Sequence, residues 1–172
     1  MSIEPDTKDW TWVVERPCPE CGTDVTSWSI ADLPAVLAET TRRWSEVLTR
    51  PDVAQRPDAS TWSPLEYAAH VRDVHALFAE RLALMLAEDD PTFAGWDQDA
   101  AAVEQAYADQ DPVDVEVALI EAAGTVAGVY ATVAPDQVLR RGRRGDGGVF
   151  TVESLGRYHL HDVLHHLWDV DA

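Results

Sequence analysis

Between its prolines, this chain places apolar residues three or four positions apart and almost never two apart, and that rhythm narrows the fold most. Side chains at i, i+3, i+4 and i+7 share one face of an α-helix, whereas a half-buried strand alternates. Tyr67, Val71, Val74, Phe78, Leu82 and Met85 keep the helical spacing. Ahead of them, Ser63-Pro64-Leu65-Glu66 reads as a helix start. Ser63 is the N-cap, the proline occupies the first helical position, and Glu66 reaches back to the cap. This second helix should run to about Ala87, before the acidic turn Glu88-Asp89-Asp90-Pro91.

The same reading gives three more long helices. The first begins near Asp32 as N-cap, with Pro34 in its first turn and Leu33, Val36, Leu37, Trp44, Val47 and Leu48 as its stripe. It ends before Pro51, because a residue preceding proline avoids helical angles. A crossover from Thr92 to Gln110 carries Trp96 and a short helix around Asp99 to Ala108. The third long helix follows Asp111-Pro112 to about Val133, with Gly124 and Gly128 as candidate sites of close packing. Residues 140 to 148 read as a flexible Arg/Gly-rich loop too polar for a strand, with a short hairpin allowed around Val149 to Val152. The last helix runs from about Thr151 to Trp168. The expected architecture is all-α: a four-helix bundle over residues 30–172 with a long crossover connection. An irregular arm over residues 1–29 precedes it.

At 172 residues the chain can bury one substantial core. Its net charge of -18 excludes a duplex-binding or anionic-membrane surface in general, despite the local run Arg140-Arg141-Gly142-Arg143-Arg144. No apolar run approaches the roughly 20 residues of a membrane helix, and Met1 to Trp12 lack the charge and apolar pattern of a secretory signal. The expected location is the cytoplasm.

The two cysteines stand together in Cys18-Pro19-Glu20-Cys21-Gly22, too close for a disulfide framework. Their spacing suits half of a zinc knuckle. A closed zinc site takes four ligands, so the other two would come from elsewhere in the chain or from a second chain. The competing reading is a tight structural turn. A redox- or zinc-dependent interaction arm is a third.

All six histidines fall in two helical segments: His70 and His75 in the second, and His159, His161, His165 and His166 in the last. Residues four apart on a helix are neighbours, about 5–6 Å apart at Cβ, so both can meet one ion. The last helix offers two such pairs, His161/His165 and Asp162/His166. A third ligand from a facing helix would complete a site with positions open to water or substrate. His70 suits that role, since it lies about 60° from the centre of its helix's apolar stripe. His75 reads as a solvated or hydrogen-bonded residue. Asp162/His166 lies nearer the centre of that helix's apolar face than His161/His165 by only about 20° on average, and geometry alone does not choose between them.

Two stretches resemble the DinB-like superfamily of metal-dependent four-helix bundles, which includes mycothiol-dependent maleylpyruvate isomerase and related bacterial thiol transferases. They are Trp62-Ser63-Pro64-Leu65-Glu66-Tyr67-Ala68-Ala69-His70-Val71-Arg72-Asp73 and His161-Asp162-Val163-Leu164-His165-His166-Leu167-Trp168-Asp169-Val170. The resemblance implies metal ligands at His70, Asp162 and His166, with Asp where relatives carry Glu, and leaves His161 and His165 as the alternative on the last helix. It also implies one divalent ion, zinc or nickel, possible use of a low-molecular-weight thiol, and a homodimer.

The expected activity is that of a metal-dependent enzyme on a small-molecule substrate, a thiol transferase or isomerase, or a hydrolase. The alternative is a non-catalytic, metal-binding or stress-associated binding protein. Asp73 and Asp169 are candidate acceptors behind the ligand imidazoles. Arg140, Arg141, Arg143 and Arg144 could bind a substrate carboxylate, Arg143 and Arg144 foremost, because guanidinium pairs with it bidentately.

Overall fold

A computed structural model describes residue 3 and residues 8–172 of the chain. Among the described residues five α-helices form, α1 (Leu33–Leu48), α2 (Pro64–Ala87), α3 (Gln98–Glu104), α4 (Pro112–Ala131) and α5 (Val152–Asp169), with three short strands, β1 (Thr92–Phe93), β2 (Arg141–Arg144) and β3 (Val149–Thr151). The four long helices make the expected bundle. α4 packs on α2 and α1, and α5 packs on the same two, whereas α1 and α2 touch little. The order around the bundle is therefore α1, α4, α2, α5, with sequence-consecutive α1 and α2 on a diagonal. Ahead of it, the described arm carries a 3₁₀ turn, Thr11–Val14, that lies against α5.

The helix starts follow their chemistry. The Ser63 side chain accepts from the Glu66 N–H, and Glu66 accepts from the Ser63 N–H at 2.8 Å. Arg56 donates to both Glu66 oxygens, so the buried carboxylate of this cap is also ion-paired with an exposed guanidinium. The N-caps of α4 and α5 are Asp111 and Thr151. At α1 the cap differs from expectation. Asp32 is already helical and makes no cap bond; it serves instead as the partner of Ser29, one 3₁₀ turn (Ile30–Asp32) earlier.

Two apolar clusters fill the bundle. One gathers Leu37, Phe78, Leu82, Met85, Tyr130 and Leu155, and the other Trp44, Leu65, Val71, Tyr107, Leu119 and Leu167. Each fully buried leucine contributes about 1.5–3 kcal/mol by leaving water. His75 and His159 are also buried: Tyr130 Oη lies 3.0 Å from His159 Nδ1, whose Nε2 lies 2.9 Å from His75 Nδ1. His75 is thus hydrogen-bonded inside the core, not solvated.

Two expectations are corrected. Residues 141–144 are a strand, pairing antiparallel with β3 and parallel with β1 in the order β1-β2-β3. Arg141 and Arg143 face outward while Gly142 turns in, where a Cβ would stand 2.7 Å from Met85 Cγ. The glycine permits the strand by letting its backbone approach the end of α2. Gly124 and Gly128 are not sites of close packing; both lie on the outer face of α4, and a Cβ at either meets nothing within 4 Å.

Replacing Ser63 with alanine should lower stability by about 1 kcal/mol in denaturant unfolding. Burial would raise the Glu66 carboxyl, but Arg56 and Ser63 outweigh it and hold it below its ordinary value. A depressed carboxylate contributes stability that is complete above its unfolded-chain value and is lost as pH falls toward its folded value. The stability gap between wild type and Glu66→Gln should therefore be constant near neutrality and narrow below about pH 4.5, as unfolding curves at several pH values would show.

Candidate metal centre

The centre is built on α5. Two pairs four residues apart, offset from each other by one position, point in directions about 100° apart. One pair, Asp162 and His166, faces α2, where the interior face of that helix presents His70. His70 Nε2 lies 3.6 Å from Asp162 Oδ1, and His166 Nε2 lies 3.7 Å from the same oxygen. One ligand atom from each of the three residues falls within 4.8 Å of the others. These separations exceed hydrogen-bonding distance. They approach the roughly 3.4 Å that separates two ligand atoms on a tetrahedral ion with bonds of about 2.1 Å.

Partners are missing where burial should demand them. His70 is fully buried, yet neither ring nitrogen has a hydrogen-bond partner, and Asp162 Oδ1 has none either. An unsatisfied buried polar atom costs about 1–3 kcal/mol, so the two that converge, His70 Nε2 and Asp162 Oδ1, fit a bound cation well. Burial pushes His70 below its ordinary pKa and keeps the imidazole neutral, the form that coordinates. Burial alone would raise the Asp162 carboxyl, but His70 and His166 outweigh it and hold it well below the usual carboxylate range.

The surroundings fix the rings. His166 Nδ1 lies 2.7 Å from Asp169 Oδ2, which leaves Nε2 directed at Asp162. His70 lies between two indoles, stacked on Trp96 with 5.4 Å between centroids and tilted against Trp62 at the same distance. Trp62 opens the α2 motif and Trp96 lies in the crossover, but a tryptophan's spacing carries no ligand signal, so sequence reading missed both. Asp73 does not back a ligand. It lies near Arg72, and Tyr107 Oη and Gln105 Nε2 donate to it, so it ties the α3 segment to α2.

Asp162 and His166 form one wall of a cleft of about 450 Å³ that Tyr67 and Trp10 also line. A smaller cavity of about 170 Å³ touches Asp162 from the other side and is lined by Arg81, Arg144 and Tyr158. Of the four candidate anion-binding arginines, Arg140 donates to the Met85 and Glu88 carbonyls and Arg141 faces outward, and the two foremost part here. Arg143 turns out to Asp90, with contacts of 2.7 and 2.9 Å, and does not reach the cavity. Arg144 lies over the rings of Phe150 and Tyr158, with Nε 2.8 Å from Asp146. Arg81, unforeseen because it sits mid-helix, is buried with Nε unpartnered. Burial and the nearby Arg144 lower it to about 10.

The other pair, His161 and His165, faces the arm. Cys18 Sγ lies 3.9 Å from His165 Nδ1, and Cys21 Sγ lies 3.8 Å from His161 Nε2. One ligand atom from each of the four residues falls within 4.8 Å of the others. The two helix pairs considered as alternatives thus belong to separate clusters.

No protein-family model and no curated protein matches the chain. Among solved structures, its fold is similar to that of YfiT from Bacillus subtilis, described as a probable metal-dependent hydrolase with an unusual four-helix bundle topology. The TM-score is 0.68 at 21% identity, over 99% of this chain and 92% of the other. The likeness establishes the four-helix-bundle fold expected from the DinB-like resemblance. No described helix is long and apolar enough to cross a membrane.

Replacing Asp73 with asparagine should loosen the α3 segment and lower the melting temperature by a few degrees, consistent with loss of about 1 kcal/mol. Divalent-metal stoichiometry should be unchanged, and a loss of bound metal in this variant would put Asp73 behind His70 after all.

Proposed function

We propose that the chain is a metal-dependent enzyme whose His70, Asp162 and His166 hold one divalent ion, zinc or nickel, at the wall of the cleft. The observation that carries this reading is the convergence of one ligand atom each from His70, Asp162 and His166, on two helices, with His70 Nε2 and Asp162 Oδ1 buried and without hydrogen-bond partners. Two neutral imidazoles and one carboxylate leave a divalent ion with a net positive charge and room on its cleft side. That is the arrangement of a catalytic centre, not of a closed structural one. When bound, the ion supplies Lewis acidity that makes a thiol or a water an effective nucleophile near neutral pH.

The chain's own residues do the positioning. Asp169 orients His166, and Trp62 with Trp96 fixes the His70 ring. The indoles also keep water off the buried side of the site, strengthening the electrostatics within it. Arg81 and Arg144 line the smaller cavity beside Asp146 and Asp162, and with Asp162 bound to the ion their guanidiniums suit a carboxylate on a small-molecule substrate. The description of the similarly folded YfiT as a probable metal-dependent hydrolase supports the coarse reading. The thiol-dependent branch rests on the α2 and α5 motifs. We place the activity in the cytoplasm, away from nucleic acid and membranes, as the acidic composition and unpaired cysteines suggest.

His70→Ala and His166→Ala should each lose the ion at this site, read by elemental analysis, while helical circular dichroism survives. Asp169→Asn should keep the ion but bind it about 10–100-fold more weakly. Metal-loaded protein should be assayed on small electrophiles bearing a carboxylate, with and without a low-molecular-weight thiol. Turnover only with thiol supports a transferase or isomerase, and turnover with water alone a hydrolase. Arg144→Gln should raise KM for the carboxylate-bearing substrate more than it lowers kcat. No turnover in either arm, with a large fall in melting temperature on chelation, would favour a non-catalytic metal-binding bundle.

A further inference from the structure

We infer that Cys18, Cys21, His161 and His165 form a second, closed zinc site that fastens the N-terminal arm to α5, independent of the centre at His70. The sequence supplies two ligands in one turn, and the fold brings two more from across the chain, Cys18 and His165 being 147 positions apart. Ligand atoms sharing a tetrahedral zinc, with Zn–S about 2.3 Å and Zn–N about 2.0–2.1 Å, stand about 3.3–3.8 Å from one another. The observed cysteine–histidine separations of 3.8 and 3.9 Å are within reach of that figure.

The turn has the shape a knuckle needs. The Gly22 N–H donates to the Cys18 carbonyl at 2.9 Å, and the Cys18 N–H donates to the Thr23 carbonyl at 2.9 Å. Gly22 sits at φ +73°, a left-handed conformation natural to glycine, and it curls the backbone so that both sulfurs face α5. His165 ligates through Nδ1, which leaves its Nε2 3.9 Å from Glu20 and 3.8 Å from Asp169, the carboxylates behind it.

Charge and burial separate this site from the other. Two thiolates and two neutral imidazoles cancel the charge of Zn²⁺, so the site can be closed over at little electrostatic cost. Cys18, His161 and His165 are buried, and the Trp10 ring covers the two imidazoles at 5.6 and 5.0 Å. No coordination position is left for a substrate, as in structural zinc sites. Thiolate ligands favour zinc over harder divalent ions. The tie has a consequence for the neighbouring cleft, because Trp10 and Glu20 form part of its wall. The arm thereby becomes a fixed side of the substrate pocket.

The test uses the full chain without a histidine tag, purified under reducing conditions and reconstituted with zinc or cobalt. Wild type should hold two ions per chain, and its cobalt form should show thiolate-to-metal charge-transfer absorption. Cys18→Ser/Cys21→Ser should lose one ion and that band, while His70→Ala should lose the other ion and keep the band. These outcomes distinguish failure of this site from failure of the centre at His70. A mercurial titrating both thiols of the wild type should release one zinc, detected with a chromophoric chelator, which needs no variant to fold. Cobalt uptake without a thiolate band, no zinc release by the mercurial, or a Cys18–Cys21 disulfide in the reduced preparation would each overturn the proposal.

Discussion

One helix, α5, contributes ligands to both of the clusters that could hold a metal, and the spacing along that helix governs where they go. A helical turn of about 3.6 residues places residues four apart one above the other, and a shift of one position rotates the next such pair by about 100°. His161/His165 and Asp162/His166 use this arithmetic to serve two neighbours from a single backbone, the arm on one side and α2 on the other. The demand is severe because imidazoles and carboxylates lose water on burial and need replacement partners. Asp169 lies between the two sets, 2.7 Å from His166 Nδ1 and 3.8 Å from His165 Nε2.

The scaffold around α5 is arranged to hold it still. Its first turn is capped by Thr151 and Ser154, and Gly156 lets the helix lie against the α1 entry, where a Cβ would stand 2.7 Å from Ile30 Cδ1. Its middle hydrogen-bonds to α2 and α4 through His159, and its end is held by Arg50, which donates to the Val170 carbonyl at 2.6 Å. Ligand geometry tolerates errors of only about 0.5 Å, so a helix fixed at start, middle and end is a sound platform for a metal centre.

The division of labour follows from charge. A neutral closed set belongs where the arm must be fastened, and a set that leaves a cation partly uncompensated belongs at a cleft where an anionic substrate can complete it. The smaller cavity beside Asp162 sets Arg81 and Arg144 against Asp146, in a chain that is otherwise strongly acidic.

Local signals made most of the bundle legible. The Ser63-Pro64-Leu65-Glu66 start, the proline-bounded helices and the grouping of histidines into two segments depend on residues a few positions apart, where helix geometry is fixed by the backbone itself. The convergence of His70 with Asp162 and His166 was expected from a family likeness, because helical angles alone left two pairs nearly equal. What the tertiary structure decided were the contacts across long separations: the strand at 141–144, the release of Asp73 to Tyr107 and Gln105, the tryptophans around His70, and the meeting of Cys18 and Cys21 with His161 and His165. The sequence by itself determined which atoms could bind a metal, since that is a property of side chains at helical or turn spacing. Only the packing of arm, α2 and α5 determined which of them share an ion, since that depends on distances no local rule contains.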